Sequence, residues 1–305
     1  MSSDPIDQQA RTDFQRARFK AFMNRVWASV SGKPATLLSY DEIKEKLRIG
    51  GPIYRGVQTV RVDQIAGSLN RYHEFDRVFL PASDTLASRW QSVNRAFYQD
   101  ISLPPVVLYK VGQVYFVVDG HHRVSVAREQ GQIYIEADVR ECSTRVNITA
   151  DLKPEDLEIL EDKVHFLERT GLDRLRPDSY IKLTIPDGFE RMLEHIAVHR
   201  FFMGLDHRRD ISEEEAVTDW YDNVYMPIIQ VIRDTDILKE FPDKTEGDLY
   251  LWVLDHQHYL ESQEGMPLQP PEEAAREFFG DEKEKPARKA RKIKTKSRKT
   301  EKTKK

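Results

Sequence analysis

The chain alternates between stretches that repeat every three to four residues and stretches of continuous apolar character, and the change of period divides it. Residues 8 to 31 carry Phe14, Ala17, Ala21 and Val26 among Arg11, Arg16, Arg18, Lys20 and Arg25, which predicts a helix ended by Gly32 and Pro34. Its mixed basic and apolar faces suit docking, with contact to DNA or a membrane surface as the alternative. A short second helix begins at Ser39, where Ser39 and Glu42 have capping-box spacing ahead of Ile43 and Leu47, and Gly50-Gly51-Pro52 breaks the chain. From Val57 the apolar runs shorten into strand-like segments: Val60 to Val62, Pro105 to Tyr109, Val114 to Val118, and Ile133 to Val139. Val111-Gly112-Gln113 reads as a hairpin turn, and Trp90, Val93, Ala96 and Phe97 place a helix over Ser88 to Tyr98.

Beyond Cys142 the period is helical, except for Tyr180 to Ile185, whose alternation predicts a strand. Pro154 opens a helix with Leu157, Leu160, Val164 and Leu167. A wide stripe of Val217, Trp220, Tyr221, Val224, Tyr225 and Ile228 follows, and Pro227 is expected to kink or divide it. Thr245 can cap a last helix bearing Leu249, Trp252, Val253, His256 and Leu260. The expected fold class is α+β: N-terminal helices over 1–50, a mixed sheet domain over 54–142, and a mostly α-helical domain over 151–265.

Charge adds a fourth segment. The 305 residues sum to a net charge of −4, but residues 283–305 hold thirteen Lys and Arg against two Glu, a net of +11. The rest, with 34 basic and 49 acidic residues, stands at −15. With Ile293 its only large aliphatic residue and no aromatic one, the segment 281–305 reads as a disordered basic tail. Such a tail binds polyanions by counterion release, so nucleic acid is a candidate partner, with the acidic body of the same chain the alternative. No apolar run approaches the roughly 20 residues of a membrane span and no secretory h-region opens the chain, so a cytoplasmic protein with no membrane partner is expected. Cys142, the single cysteine, suits a reducing compartment and a packing role.

The chemistry concentrates in one turn. Val114 to Val118 leads into Asp119-Gly120-His121-His122-Arg123, followed by helix-compatible residues up to Gln130. A helix starting after Gly120 offers unpaired backbone N–H groups beside two imidazoles and a guanidinium, a setting for an anion. The alternative is that Asp119 caps the helix and the basic groups face water. His195 and His199 have the i, i+4 spacing of metal ligands, with Asp206 and His207 following. Position 196, where helical zinc peptidases carry Glu, is Ile196, and packing histidines are the expectation there; no metal site is expected. His256 and His258 point to different helix faces.

The segment Leu103-Pro104-Pro105-Val106-Val107, the hairpin, and Asp119 to Arg123 together resemble the ParB/sulfiredoxin superfamily over roughly residues 57–142. In that superfamily a Gly-x-x-Arg turn and its helix hold nucleotide phosphates. Gly120 and Arg123 match this turn, His121 and His122 fill its middle, and Asp119 precedes it. Val62 to Arg71 resembles the first box of the superfamily, an Ile-led strand end followed by Arg, which makes Arg71 a second phosphate contact. The turn lacks the sulfiredoxin cysteine, and no Asn-x-Gln-Arg motif of the partition proteins is present. The resemblance implies a bound nucleoside triphosphate, with Mg²⁺ where its phosphates require it, and a regulatory, nucleic-acid-associated protein for which a homodimer is an expected form. On this reading Asp119 fixes the turn and orients His122 or a metal, while His121, His122 and Arg123 neutralise the phosphate. Some relatives resemble serine-kinase-like phosphotransferases, in which Glu74 would be the base, and a ParB-like nuclease is a further reading. The run from Trp220 to Pro227, with Phe241-Pro242 and Asp248 to Val253, resembles an uncharacterised helical bacterial domain that brings no known chemistry.

Overall fold

The computed structural model describes residues 4–31, 34–264 and 269–279. The basic tail therefore lies outside the described residues. Contacts divide the chain into two compact units that meet between Val164 and His165.

The first unit is a mixed six-stranded sheet with helices. In chain order it contains α1 (Pro5–Ser31), β1 (Leu38–Ser39), α2 (Tyr40–Lys46), β2 (Pro52–Arg61), β3 (Ile65–Ser68), α3 (Ala87–Tyr98), β4 (Val106–Val111), β5 (Val114–Asp119), α4 (His121–Glu129) and β6 (Tyr134–Cys142). The strand order is β1-β3-β5-β4-β6-β2. β1, β3 and β5 run parallel, β4 turns back along β5 through the hairpin at Gly112, and β2 lies antiparallel along β6 at the far edge. Val114 to Val117 are buried because β5 is central and covered on both faces, which explains its continuous apolar run. Ser39 caps α2: its Oγ accepts the N–H of Glu42 at 3.4 Å, the serine half of the capping box.

One face of this sheet is covered by α1, α3 and α4. Phe14, Ala17 and Ala21 of α1 pack with Trp90 of α3 and with Val124 and Val126 of α4 in a single core. Val26, placed on the same helix by its sequence pattern, is instead exposed. Two polar ties fix the layer. Trp90 Nε1 donates to Ser125 Oγ at 2.9 Å. The buried Asp13 accepts from Asn94 at 3.0 Å, Tyr98 at 2.6 Å and Gln130 at 3.2 Å, joining α1 to α3 and α4. Cys142 is buried with its Sγ 3.4 Å from Tyr40 Oη.

Helix α5 (Pro154–Thr170) carries the boundary between units. The second unit is helical: α6 (Leu172–Leu175), α7 (Gly188–His207), α8 (Glu213–Trp220), α9 (Met226–Asp234), α10 (Glu246–Glu264) and a helix over 271–279. Trp220 and Tyr250 lie at its centre, with Trp220 Nε1 donating to Tyr250 Oη at 2.9 Å. Pro227 is accommodated by a specific route, with the chain helical from Glu213 through to Asp234. The turn Tyr221–Tyr225 widens to π geometry, and the N–H of Met226 reaches back to the carbonyl of Tyr221 just before the proline removes a donor.

The strand expected over Tyr180 to Ile185 is not one. Its alternation is real, since Ile181 and Leu183 are buried beside the exposed Tyr180 and Lys182, but among the described residues no strand pairs with it. Its polar groups go to the start of α10 instead. The N–H and hydroxyl of Thr184 donate to Asp248 at 2.8 and 2.7 Å, and Thr245 Oγ1 donates to the Lys182 carbonyl at 2.6 Å. Asp248 also accepts the Thr245 N–H while Thr245 Oγ1 accepts that of Asp248, a reciprocal cap of the helix that Thr245 was expected to start. Among the described residues no helix is long and apolar enough to cross a membrane.

Candidate functional site

The sheet order places two parallel strand ends side by side. β3 ends at Ser68 and β5 at Asp119, and α4 begins one residue after β5. This is the strand-end position at which open sheets with crossing helices bind ligands.

Gly120 makes the junction. Its φ of 98° and ψ of 20° lie in the left-handed region, and it occupies the N-cap with no side chain capping α4. The expected alternative, a cap from Asp119, is therefore replaced by an open helix end. The carboxylate of Asp119 instead accepts from Arg123 Nη2 at 2.6 Å, across one turn of helix. Arg123 also donates to the carbonyl of Pro105 at 2.9 Å and to that of Pro104. Its guanidinium ties the start of β4 to the turn, so its charge is already matched.

The two histidines are held differently. His121 is buried, its Nε2 sharing a hydrogen bond of 2.8 Å with Ser68 Oγ, which in turn accepts the N–H of Arg71 at 3.0 Å. Its ring stacks on Phe75 at 6.1 Å, while His122 meets the same Phe75 edge-on at 5.6 Å. Nδ1 of His122 is buried with no hydrogen-bond partner. Burial, with the nearby Arg71 guanidinium, pushes His121 down to about 4. Burial again, with Arg71 and Arg89, pushes His122 down to about 4. At neutral pH both rings are thus neutral. Neutral, they can offer hydrogen bonds, and the cations nearest them are elsewhere.

Those cations are Arg71 and Arg89. Arg71 follows β3 and donates to Glu74 at 3.3 Å, so Glu74 stands as its counter-ion at the rim. Arg89, on the first turn of α3, is exposed and has no ion pair among the described residues. Sequence reading missed it because a lone Arg on an amphipathic helix looks like any solvated charge. On the other side of Arg123 a cavity of about 310 Å³ is walled largely by apolar residues, among them Phe97, Ile101, Leu103 and Tyr134.

The paired-histidine spacing in α7 does not converge. His195 Nδ1 lies 3.2 Å from Tyr250 Oη and His199 Nε2 lies 2.7 Å from Asp219 Oδ2, so the rings serve different neighbours. Among the described residues no group of three His, Cys, Asp or Glu side chains is gathered in metal-binding geometry.

No family model matches the chain, and no curated protein matches it. Among solved structures it is similar to a Pnob8-like ParB-N domain, at 11% sequence identity, over 76% of this chain and 98% of that one, with a TM-score of 0.21. This is a distant ParB-N-like similarity.

Proposed function

We propose that the chain is a nucleotide-binding regulatory protein of ParB-like type, with the phosphates held at the start of α4. The observation that carries this reading is the open N-terminus of α4, flanked by the unpartnered Nδ1 of His122 and by the two guanidiniums of Arg71 and Arg89. Backbone N–H groups of the first helical turn and the helix dipole favour an anion there. Gly120 lets the ligand approach the main chain, and His122 gives a hydrogen bond from a neutral ring. Arg71 and Arg89 supply the charge, and Asp119 with Arg123 holds the turn in shape.

Magnesium fits this arrangement only through the nucleotide. Asp119 is engaged by Arg123, so a divalent ion would be held mainly by phosphate oxygens and water, as Mg²⁺ commonly is. Glu74, the base a phosphotransferase would need, is the counter-ion of Arg71, which supports a binding switch in preference to phosphate transfer. The basic tail, outside the described residues, is proposed to add salt-sensitive affinity for nucleic acid.

Isothermal titration of the full chain with each nucleoside triphosphate, with and without Mg²⁺, tests the proposal. One nucleotide is expected to bind, and Arg71→Ala and Arg89→Ala should each weaken it roughly tenfold or more, the loss of one charge-assisted contact. Both side chains are on the surface, so the fold persists in either variant. Absence of binding to every nucleotide, or binding indifferent to both variants, overturns the reading.

A further inference from the structure

Helix α1 has two apolar faces, and the fold uses one. Ala10, Phe14, Ala17, Ala21 and Ala28 are buried in the first unit. Phe19, Phe22, Met23, Val26, Trp27 and Val30 form a second stripe on the opposite side, all exposed, Trp27 to 68% and Val30 to 79%. Steps of three, one, three, one and three residues put these six on one helical face. The exposed part of these side chains amounts to roughly 700 Å², more than the largest apolar patch of most monomers and close to the share one partner gives to a stable interface.

We propose that this stripe is the interface of a two-fold homodimer in which two copies of α1 pack antiparallel. The spacing is symmetric about the point between Asn24 and Arg25. An antiparallel pair centred there sets Phe19 opposite Val30, Phe22 opposite Trp27 and Met23 opposite Val26, each contact made twice, as an isologous interface requires. Each aromatic of the first half meets a residue of the second, and helices at about 8–10 Å separation accommodate such pairs.

Charge selects the same arrangement. Between Arg16 and Ser31 the helix has four cations and no acid. An antiparallel pair puts Arg18 level with Ser31 and Lys20 with Ser29, whereas a parallel pair would set each cation level with itself; Arg25, beside the two-fold axis, stays near its copy in both arrangements. Three of the four are also matched within the chain: Arg16 by Asp13, Arg18 by Asp84 and Lys20 by Glu129. That leaves little free charge for an anionic lipid surface, the other partner a basic amphipathic helix could take.

Sedimentation equilibrium of the full chain up to about 100 µM tests this. A dimer is expected, and Phe22→Glu with Trp27→Glu should weaken association roughly a hundredfold or more, since the paired aromatics sit centrally. Unchanged circular dichroism will confirm that these exposed substitutions spare the fold. A double Met23→Cys, Val26→Cys variant should oxidise to a covalent dimer, while Met23→Cys alone should not; Cys142 is buried and does not interfere. A monomer at every concentration, a dimer indifferent to the double Glu variant, or cross-linking by Met23→Cys alone overturns the proposal. So does a monomer that co-sediments with phosphatidylserine vesicles.

Discussion

Replacing Gly120 by alanine perturbs the turn at its one obligatory glycine, and the outcome can be separated into two effects. A residue with a Cβ in left-handed backbone pays roughly 1–2 kcal/mol. At Gly120, with φ of 98°, the added Cβ would also lie 2.6 Å from Val106 Cγ1 and 2.9 Å from Arg123 Nη2. Val106 is packed in the core and Arg123 is held by Asp119 and the Pro105 carbonyl, so neither retreats freely. Overpacking of that kind adds about 1–3 kcal/mol, for a total on the order of 2–5 kcal/mol. Gly131, past the end of α4, is the control: φ is 70° but nothing lies within 4 Å of the added Cβ, so only the backbone part applies. The assay is amide hydrogen exchange of β5 in the full chain, which reads the opening free energy of the first unit alone. At about 1.4 kcal/mol per tenfold, Gly120→Ala should speed exchange roughly 30- to 4,000-fold and Gly131→Ala roughly five- to thirtyfold. Over most of the ordinary range of domain stability, about 5–15 kcal/mol, the fold survives either change. Equal acceleration by the two variants would refute the steric part of the reasoning, and no acceleration by either would refute both.

Other outcomes follow from the buried polar groups. An ordinary imidazole titrates near 6.5. In the fold, burial first and the neighbouring arginines second hold His121 and His122 near 4, so between those values the unfolded chain takes up protons that the folded one refuses. Stability of the first unit is therefore full above pH 6.5 and declines as acid is added toward pH 4. β5 exchange compared at pH 7 and 5, after correction for intrinsic rates, should show the loss, and His121→Gln should reduce it; protection that does not change with pH contradicts the assignment. Asp13 is the opposite case. Burial raises its carboxyl, but hydrogen bonds from Tyr98, Asn94, Gln130 and Gln9 outweigh it and hold the group below the ordinary value. Its contribution is present above about pH 4, the unfolded carboxyl's range, and disappears as pH falls through the lowered value. Asp13→Ala should destabilise the unit by about 2–4 kcal/mol at pH 7 by stranding the Asn94 and Tyr98 donors, and by much less at pH 2; equal losses at both would exclude the ionised form as the acceptor. Finally, deletion of residues 283–305 should abolish salt-sensitive retention on DNA, and unaltered retention would remove the tail from the nucleic-acid reading.

The parts of the fold legible in the sequence are those in which burial writes a period. β5, buried on both faces, appears as an unbroken apolar run, and α3 appears through Trp90 and its helical neighbours. β2 shows the limit. Only its last residues, from Val60, read as strand, although the structure extends it back to Pro52. Ile53, Tyr54 and Val57 along it are exposed, and Gly56 with φ of 84° interrupts the register between Tyr54 and Val57. What holds this edge is its backbone ladder to β6, which leaves no hydrophobic signature. Tyr180 to Ile185 fails in the other direction, because alternation reports which side chains are buried and says nothing about whether a second strand exists to receive the backbone.

The site divides along the same line between local and distant information. The turn from Asp119 to Arg123 was legible because five consecutive residues carry its chemistry, and the open end of α4 follows from Gly120 alone. Distribution of charge was not. Two imidazoles and a guanidinium in sequence suggest a cationic cradle, yet burial neutralises the rings and Asp119, four residues before Arg123, matches the guanidinium. The i, i+4 spacing of that pair was present in the sequence and points to an internal ion pair as readily as to a ligand site. Unspent charge comes from Arg89 on a helix that precedes β5, and beside it Arg71, paired to Glu74 at the rim, follows β3; only the folded chain brings these elements to one end. A substitution at Arg123 would therefore test the shape of the turn, whereas substitutions at Arg71 and Arg89 test whether an anion is bound there.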